Sequence, residues 1–141
     1  MRYCYGIFLI LSLLLAGCGG HPNAESELDA HSSKLVQIGT RSYILAFPAN
    51  YPHGKPSEHP YKLLLAFHGS GGSATEMQKL SAFEKASNDY IVAYLQSEQV
   101  EWNEGCDCNI AHRLETDDLG FVEQVIQQVS RKYPIGSGEV Y

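Results

Sequence analysis

The sequence predicts an α/β fold, and three observations carry that expectation. Two uninterrupted apolar runs, Leu63–Phe67 and Tyr90–Leu95, have the length of strands buried on both faces of a parallel sheet. Two segments with helical periodicity follow these runs, each opened by a capping signal. Glycine and proline fall at the junctions, as they do where strands and helices alternate. Strand, helix, strand, helix, strand is the order of a right-handed α/β sheet.

The elements follow in chain order. Val36, Ile38, Tyr43, Leu45 and Phe47 suggest a strand pair that begins near Leu35 and turns at Gly39-Thr40. Pro48 to Pro60, rich in Pro, Asn, Gly and His, reads as a surface loop. Its His53 and His59 have no acidic or Cys ligand at metal-binding spacing, so no metal is expected. After the run Leu63–Phe67, Ser73-Ala74-Thr75-Glu76 has the capping-box pattern and opens a helix expected to reach about Ser87. Met77, Leu80 and Phe83 would form its inner side, and Asn88-Asp89 would end it before the second apolar run. A polar loop is expected from Gln96 to Glu115. Thr116-Asp117-Asp118 then starts a helix whose acidic residues suit the N-terminal dipole. Val122, Val125, Ile126, Val129 and Tyr133 give it one apolar face, and Pro134 and Gly136 stop it. Glu139-Val140-Tyr141 reads as the opening of a further strand, with Gly136-Ser137-Gly138 ahead of it.

The first residues bear on the compartment. Arg2 followed by the apolar run Ile7–Ala16 has the proportions of a signal peptide and is too short to span a bilayer. Leu15-Ala16-Gly17-Cys18 resembles the lipobox of bacterial lipoproteins, which implies cleavage after Gly17 and acylation of Cys18. Gly19 in place of Asp points to the outer membrane in a Gram-negative cell; otherwise the product would be periplasmic, at the cell surface or secreted. Residues 18–33 read as a flexible tether, and 34–141 as the folded part. Loss of residues 1–17 removes a single charge, Arg2, so the formal charge of -6 becomes one unit more negative. An acidic chain without a basic cluster argues against a nucleic-acid partner.

The chemistry centres on His68-Gly69-Ser70-Gly71-Gly72, which sits between an apolar strand and a capped helix. Backbone amides of such a turn are a natural site for negative charge. A phosphate-binding loop would end in Gly-Lys-Ser/Thr, and no Lys follows these glycines. Two readings remain at this point, a plain strand-to-helix turn and an oxyanion hole. Trp102 is either a core residue or part of an aromatic rim. Cys106 and Cys108 are expected in disulfides if the chain is exported, either with each other or with another cysteine.

Four stretches together resemble the polyhydroxybutyrate depolymerase and feruloyl esterase group of α/β hydrolases. They are Arg41–Leu45; the apolar strand into His68-Gly69; Trp102-Asn103-Glu104-Gly105 with Cys106; and Asp117–Phe121 leading to Tyr133-Pro134 and Val140-Tyr141. The resemblance implies the N-terminal part of a doubly wound α/β-hydrolase sheet and no cofactor. It implies an oxyanion hole at Ser70 with Gly69 and Gly71, and a structural role for His68. It implies hydrolysis of a carboxylic ester, either a hydroxyalkanoate polyester or a feruloyl or acetyl ester on a polysaccharide.

In that family the strand at Val140-Tyr141 leads into Gly-x-Ser-x-Gly, with the acid and His later still. No Gly-x-Ser-x-Gly occurs within residues 1–141, so the nucleophile, acid and His are expected after Tyr141. A chain cut before its nucleophile would expose Leu63–Phe67 as an edge strand, fold poorly and hydrolyse nothing efficiently. The rival reading is a non-catalytic lipoprotein that keeps a remnant hydrolase scaffold as a binding module.

Overall fold

The computed structural model describes residues 33–52 and 57–141. The expected signal peptide, almost all of the tether, Cys18 and His53 lie outside the described residues. The elements are β1 (Ser33–Ile38), β2 (Arg41–Ala46), β3 (Tyr61–Phe67), α1 (Ala74–Ser81), α2 (Phe83–Ala86), β4 (Tyr90–Leu95), α3 (Ile110–Arg113), α4 (Asp118–Lys132) and β5 (Ile135–Val140). The five strands form one mixed sheet in the order β1-β2-β4-β3-β5. β1, β2 and β4 pair antiparallel, whereas β4, β3 and β5 run parallel.

The first hairpin turns where Gly39 stands at φ +58°, a conformation that favours a residue without Cβ. β4 is the central strand, and Ile91 through Leu95 are all fully buried. Their alternation separates two layers, because successive side chains leave a strand on opposite faces. Ile91, Ala93 and Leu95 join Leu63, Tyr43 and Leu45 beneath Phe121, Val125 and Val129 of α4. Val92 and Tyr94 join Ala46 and Ala66 on the other face, with Ala74 and Met77 of α1. Each fully buried aliphatic side chain contributes about 1.5–3 kcal/mol, so the larger α4 layer dominates the stability of the sheet.

Both longer helices are capped as their sequences predict. Ser73 Oγ accepts the Glu76 amide, and the Asp117 carboxylate accepts the Gly120 amide. The helix expected to run from Ala74 to about Ser87, however, is two. Ala82 adopts the left-handed conformation at φ 43°, and α2 restarts at Phe83. The reason lies in β4: the buried Tyr94 hydroxyl accepts the Phe83 amide at 2.9 Å and donates to Glu84 at 2.6 Å. Leu80 consequently points outward and is 86% exposed, and Phe83 is partly exposed, so only Met77 keeps the expected inward position.

Two further expectations are corrected at the sheet edge. β5 begins at Ile135, not Glu139, and incorporates Gly136-Ser137-Gly138. It absorbs them as a bulge: the pairing moves from Tyr61 opposite Ile135 to Leu63 opposite Val140, with Gly138 at φ +75°. β3 is therefore not an exposed edge. Tyr61 donates to Pro134 O, Tyr141 donates to Leu63 O and Leu65 donates to Tyr141 O, so β5 covers it. The expectation of poor folding that rested on a bare β3 loses its ground. β3 is also less enclosed than its composition suggests, with Leu64 and Leu65 half-buried and Phe67 exposed.

Candidate functional site

β3 delivers the turn His68–Gly72 to the C-terminal end of the parallel strands, where open α/β sheets bind ligands. His68 is 4% exposed, and the backbone uses both of its ring nitrogens. Nε2 accepts the Ser97 amide at 3.2 Å, so in the neutral ring the proton sits on Nδ1 and is donated to Gly69 O at 2.8 Å. A ring held this way positions the turn; it has no nitrogen left to take a substrate proton.

The neighbouring bonds decide which amides are available. Trp102 Nε1 donates to His68 O at 2.9 Å. A peptide unit is planar, so fixing its carbonyl fixes the N–H on its opposite side. Trp102 thereby orients the Gly69 amide. Gly69 O accepts the His68 ring and also the Gly72 amide at 3.0 Å, which orients the Ser70 amide in the same manner. The Gly71 amide donates to Val100 O at 2.6 Å. Of the three residues expected at an oxyanion hole, Gly71 therefore has its donor occupied. The amides of Gly69 and Ser70 have no acceptor among the described residues. Gly71, at φ +74°, provides the left-handed step that closes the turn.

A cavity of about 380 Å³ adjoins the turn, between Gly69, Ser70, Gly72 and Ser73 and Glu76, Met77 and Leu80 of α1. A larger cleft of about 600 Å³ lies elsewhere, between Asn103–Gly105, His112 and the first residues of α4, and contains no residue of the turn. Ser70 Oγ is 3.4 Å from Glu101, whose other oxygen accepts the Ile110 amide. Trp102 is a core residue at 9% exposure, with Phe67 edge-on at 5.0 Å and the His68 ring at 5.3 Å. Cys106 and Cys108 pair with each other in the loop between Trp102 and α3, with Cα atoms 5.2 Å apart.

The chain is similar to the solved structure of FphF, a fluorophosphonate-binding serine hydrolase of Staphylococcus aureus, with a TM-score of 0.51. The fold is hydrolase-like. The match has 14% sequence identity and covers 77% of this chain and 44% of that one, so the chain spans less than half of FphF. No family model and no curated protein matches the sequence.

Sequence reasoning located the turn, His68 and Trp102, but missed Asp118, Arg41 and Asn109 as parts of its support. Asn109 Nδ2 donates to Trp102 O at 3.0 Å, and its Oδ1 caps α3 by accepting the His112 amide at 2.8 Å. An Asn followed three residues later by a helical amide was a readable capping signal. The contacts of Arg41 and Asp118, far apart in sequence, had no local signature.

Proposed function

We propose that this chain carries the oxyanion-stabilising side of a serine hydrolase site acting on carboxylic esters. The observation that supports it is the pair of amides at Gly69 and Ser70, each oriented through the carbonyl of its own peptide unit and each lacking an acceptor among the described residues. Donors fixed before the reaction stabilise developing oxyanion charge without reorganising, and each is worth about 3 kcal/mol of barrier. In this reading Ser attack forms an acyl-enzyme while the two amides hold the carbonyl oxygen.

The nucleophile, its acid and its His are assigned to sequence following Tyr141. β5 supports that placement. Tyr141 bonds both Leu63 and Leu65 and so lies opposite Leu64 in the parallel ladder, four positions short of His68. At strand rise, roughly 13 Å or about four further residues would bring the chain alongside the turn. The substrate is a hydroxyalkanoate polyester or a feruloyl or acetyl ester on a polysaccharide, and the protein is exported and held to a membrane by lipid on Cys18.

Fluorophosphonate labelling of the native gene product, with sequencing of the reading frame past codon 141, tests the proposal. A labelled serine within a Gly-x-Ser-x-Gly after β5 is the expected result. A native product that ends at Tyr141 and takes no label refutes it in favour of a non-catalytic remnant scaffold.

A further inference from the structure

The Gly69 amide is oriented through Trp102, yet Trp102 lies in the loop after β4, outside any strand ladder. What holds that loop is a set of side chains, and a single carboxylate joins them. Asp118, the first residue of α4, is 7% exposed. Its Oδ2 accepts the Asn103 amide at 2.6 Å, immediately after Trp102. Its Oδ1 pairs with Arg41 Nη2 at 2.6 Å, and both side chains are 9% exposed. The Arg41 guanidinium lies over the Phe121 ring at 3.9 Å and over the Trp102 ring at 5.7 Å. Arg41 also donates to Asp117 O and Gln96 O, tying the start of β2 to the ends of β4 and the α4 cap.

We infer that Asp118 is the positioning residue of the oxyanion turn, acting through Asn103, Arg41 and Trp102. The inference rests on reading Gly69 and Ser70 as oxyanion donors. Its physical basis is directional. A buried ion pair adds little net stability compared with apolar residues of the same volume. A carboxylate, however, presents two oxygens in a fixed plane: here Oδ2 accepts a backbone hydrogen bond, while Oδ1 faces the Arg41 guanidinium as an ion pair without an aligned hydrogen bond. Oδ2 fixes the backbone beside Trp102, and the charge at Oδ1 holds the Arg41 cation near its ring face. The indole N–H is thereby directed at His68 O, and the His68–Gly69 peptide plane follows. An apolar pair could fill the space without defining that direction. Asn103 Nδ2 donating to Thr116 O at 3.0 Å secures the same loop from the side of α4.

Trp102 is the single tryptophan of the sequence, so its indole N–H gives one resonance that reports the bond to His68 O. The experiment compares Asp118→Ala, Asp118→Asn and Arg41→Lys in the native protein, reading indole shift, indole solvent exchange, thermal midpoint and fluorophosphonate labelling rate. Asp118→Ala should shift the resonance and speed its exchange roughly tenfold or more. Its labelling should slow by roughly 10- to 100-fold, the scale of a small misplacement at a reacting centre. Asp118→Asn, which keeps an acceptor for the Asn103 amide, should fall between Asp118→Ala and wild type. Should Asp118→Ala not fold, Asp118→Asn and Arg41→Lys carry the same comparison. Variants with lowered midpoints but a wild-type indole signal overturn the inference. A labelled wild type whose rate is indifferent to Asp118 overturns it while leaving the oxyanion reading intact. An indole signal that follows Asp118 in a protein the probe never labels refutes the oxyanion reading, and this role with it.

Discussion

His68→Ala separates a positioning histidine from a catalytic one. Truncation removes the acceptor of the Ser97 amide, and Ser97 is 6% exposed, so a buried donor is left unpaired. That loss costs about 1–3 kcal/mol. The ring also leaves its contact with Trp102, whose centroid is 5.3 Å away; such ring pairs are worth about 1 kcal/mol. Gly69 O loses the ring proton but keeps the Gly72 amide at 3.0 Å, so only the net value of one hydrogen bond, about 0.5–1 kcal/mol, is added there. The sum is about 2.5–5 kcal/mol, which for a domain of this size lowers the thermal midpoint by roughly 10–20 °C. Urea unfolding followed by Trp102 fluorescence measures it directly. A base with a free nitrogen could be removed with little effect on folding. A His68→Ala protein within about 0.5 kcal/mol of wild type, the range of an ordinary surface substitution, would refute the bonding scheme.

Four further outcomes are expected. Tyr94→Phe leaves Glu84 and the Phe83 amide without their buried hydroxyl partner, so stability should fall by about 2–3 kcal/mol in the same assay. Burial, then the bond to Glu84, raises the Tyr94 phenol from its ordinary 10.0 to about 12, and burial, then the neighbouring Tyr133, raises Tyr43 to about 12. The unfolded chain releases these protons first. The contribution is therefore complete below pH 10 and lost as pH rises through about 12; urea midpoints that stay flat across that window would contradict it. Gly120→Ala should bring none of the roughly 1 kcal/mol that Ala usually adds in a helix, because its Cβ would meet Asp117 Oδ2 at 2.1 Å and displace the α4 cap. Denaturation showing the usual gain would mean the cap contributes nothing. Leu63→Ala should cost about 2–5 kcal/mol at a fully buried site, whereas Leu80→Ser should change stability by less than about 0.5 kcal/mol. Equal effects would mean that α1 does present Leu80 to the core.

The α/β class, the hairpin at Gly39-Thr40, the strand at Tyr90–Leu95 and the two capped helix starts were all legible in the sequence. Each depends on residues that are neighbours along the chain. Side-chain period follows from backbone geometry, and a cap is made within four residues. The turn at His68–Gly72 was legible for the same reason, since glycines between an apolar run and a cap define it locally. The break at Ala82 was not. Helical propensity favours continuation through Glu84 and Lys85, but the Tyr94 hydroxyl, brought in by β4, takes the Phe83 amide instead. Gly136-Ser137-Gly138 reads as lying ahead of the last strand, yet it enters β5 because β3 offers a parallel ladder and a bulge absorbs the extra residues.

The sequence by itself thus determined where most strands and both capped helices begin and where a glycine-rich turn meets the end of the sheet. Only the tertiary structure decided that Val100 occupies the Gly71 amide, that Trp102 and the His68 ring orient those of Gly69 and Ser70, and that Asp118 and Arg41 hold Trp102 in place. The division has one physical cause. Backbone conformation responds to near neighbours, whereas the partner of a buried donor or charge is whichever group the folded sheet and helices bring within about 3 Å, however distant it is along the chain.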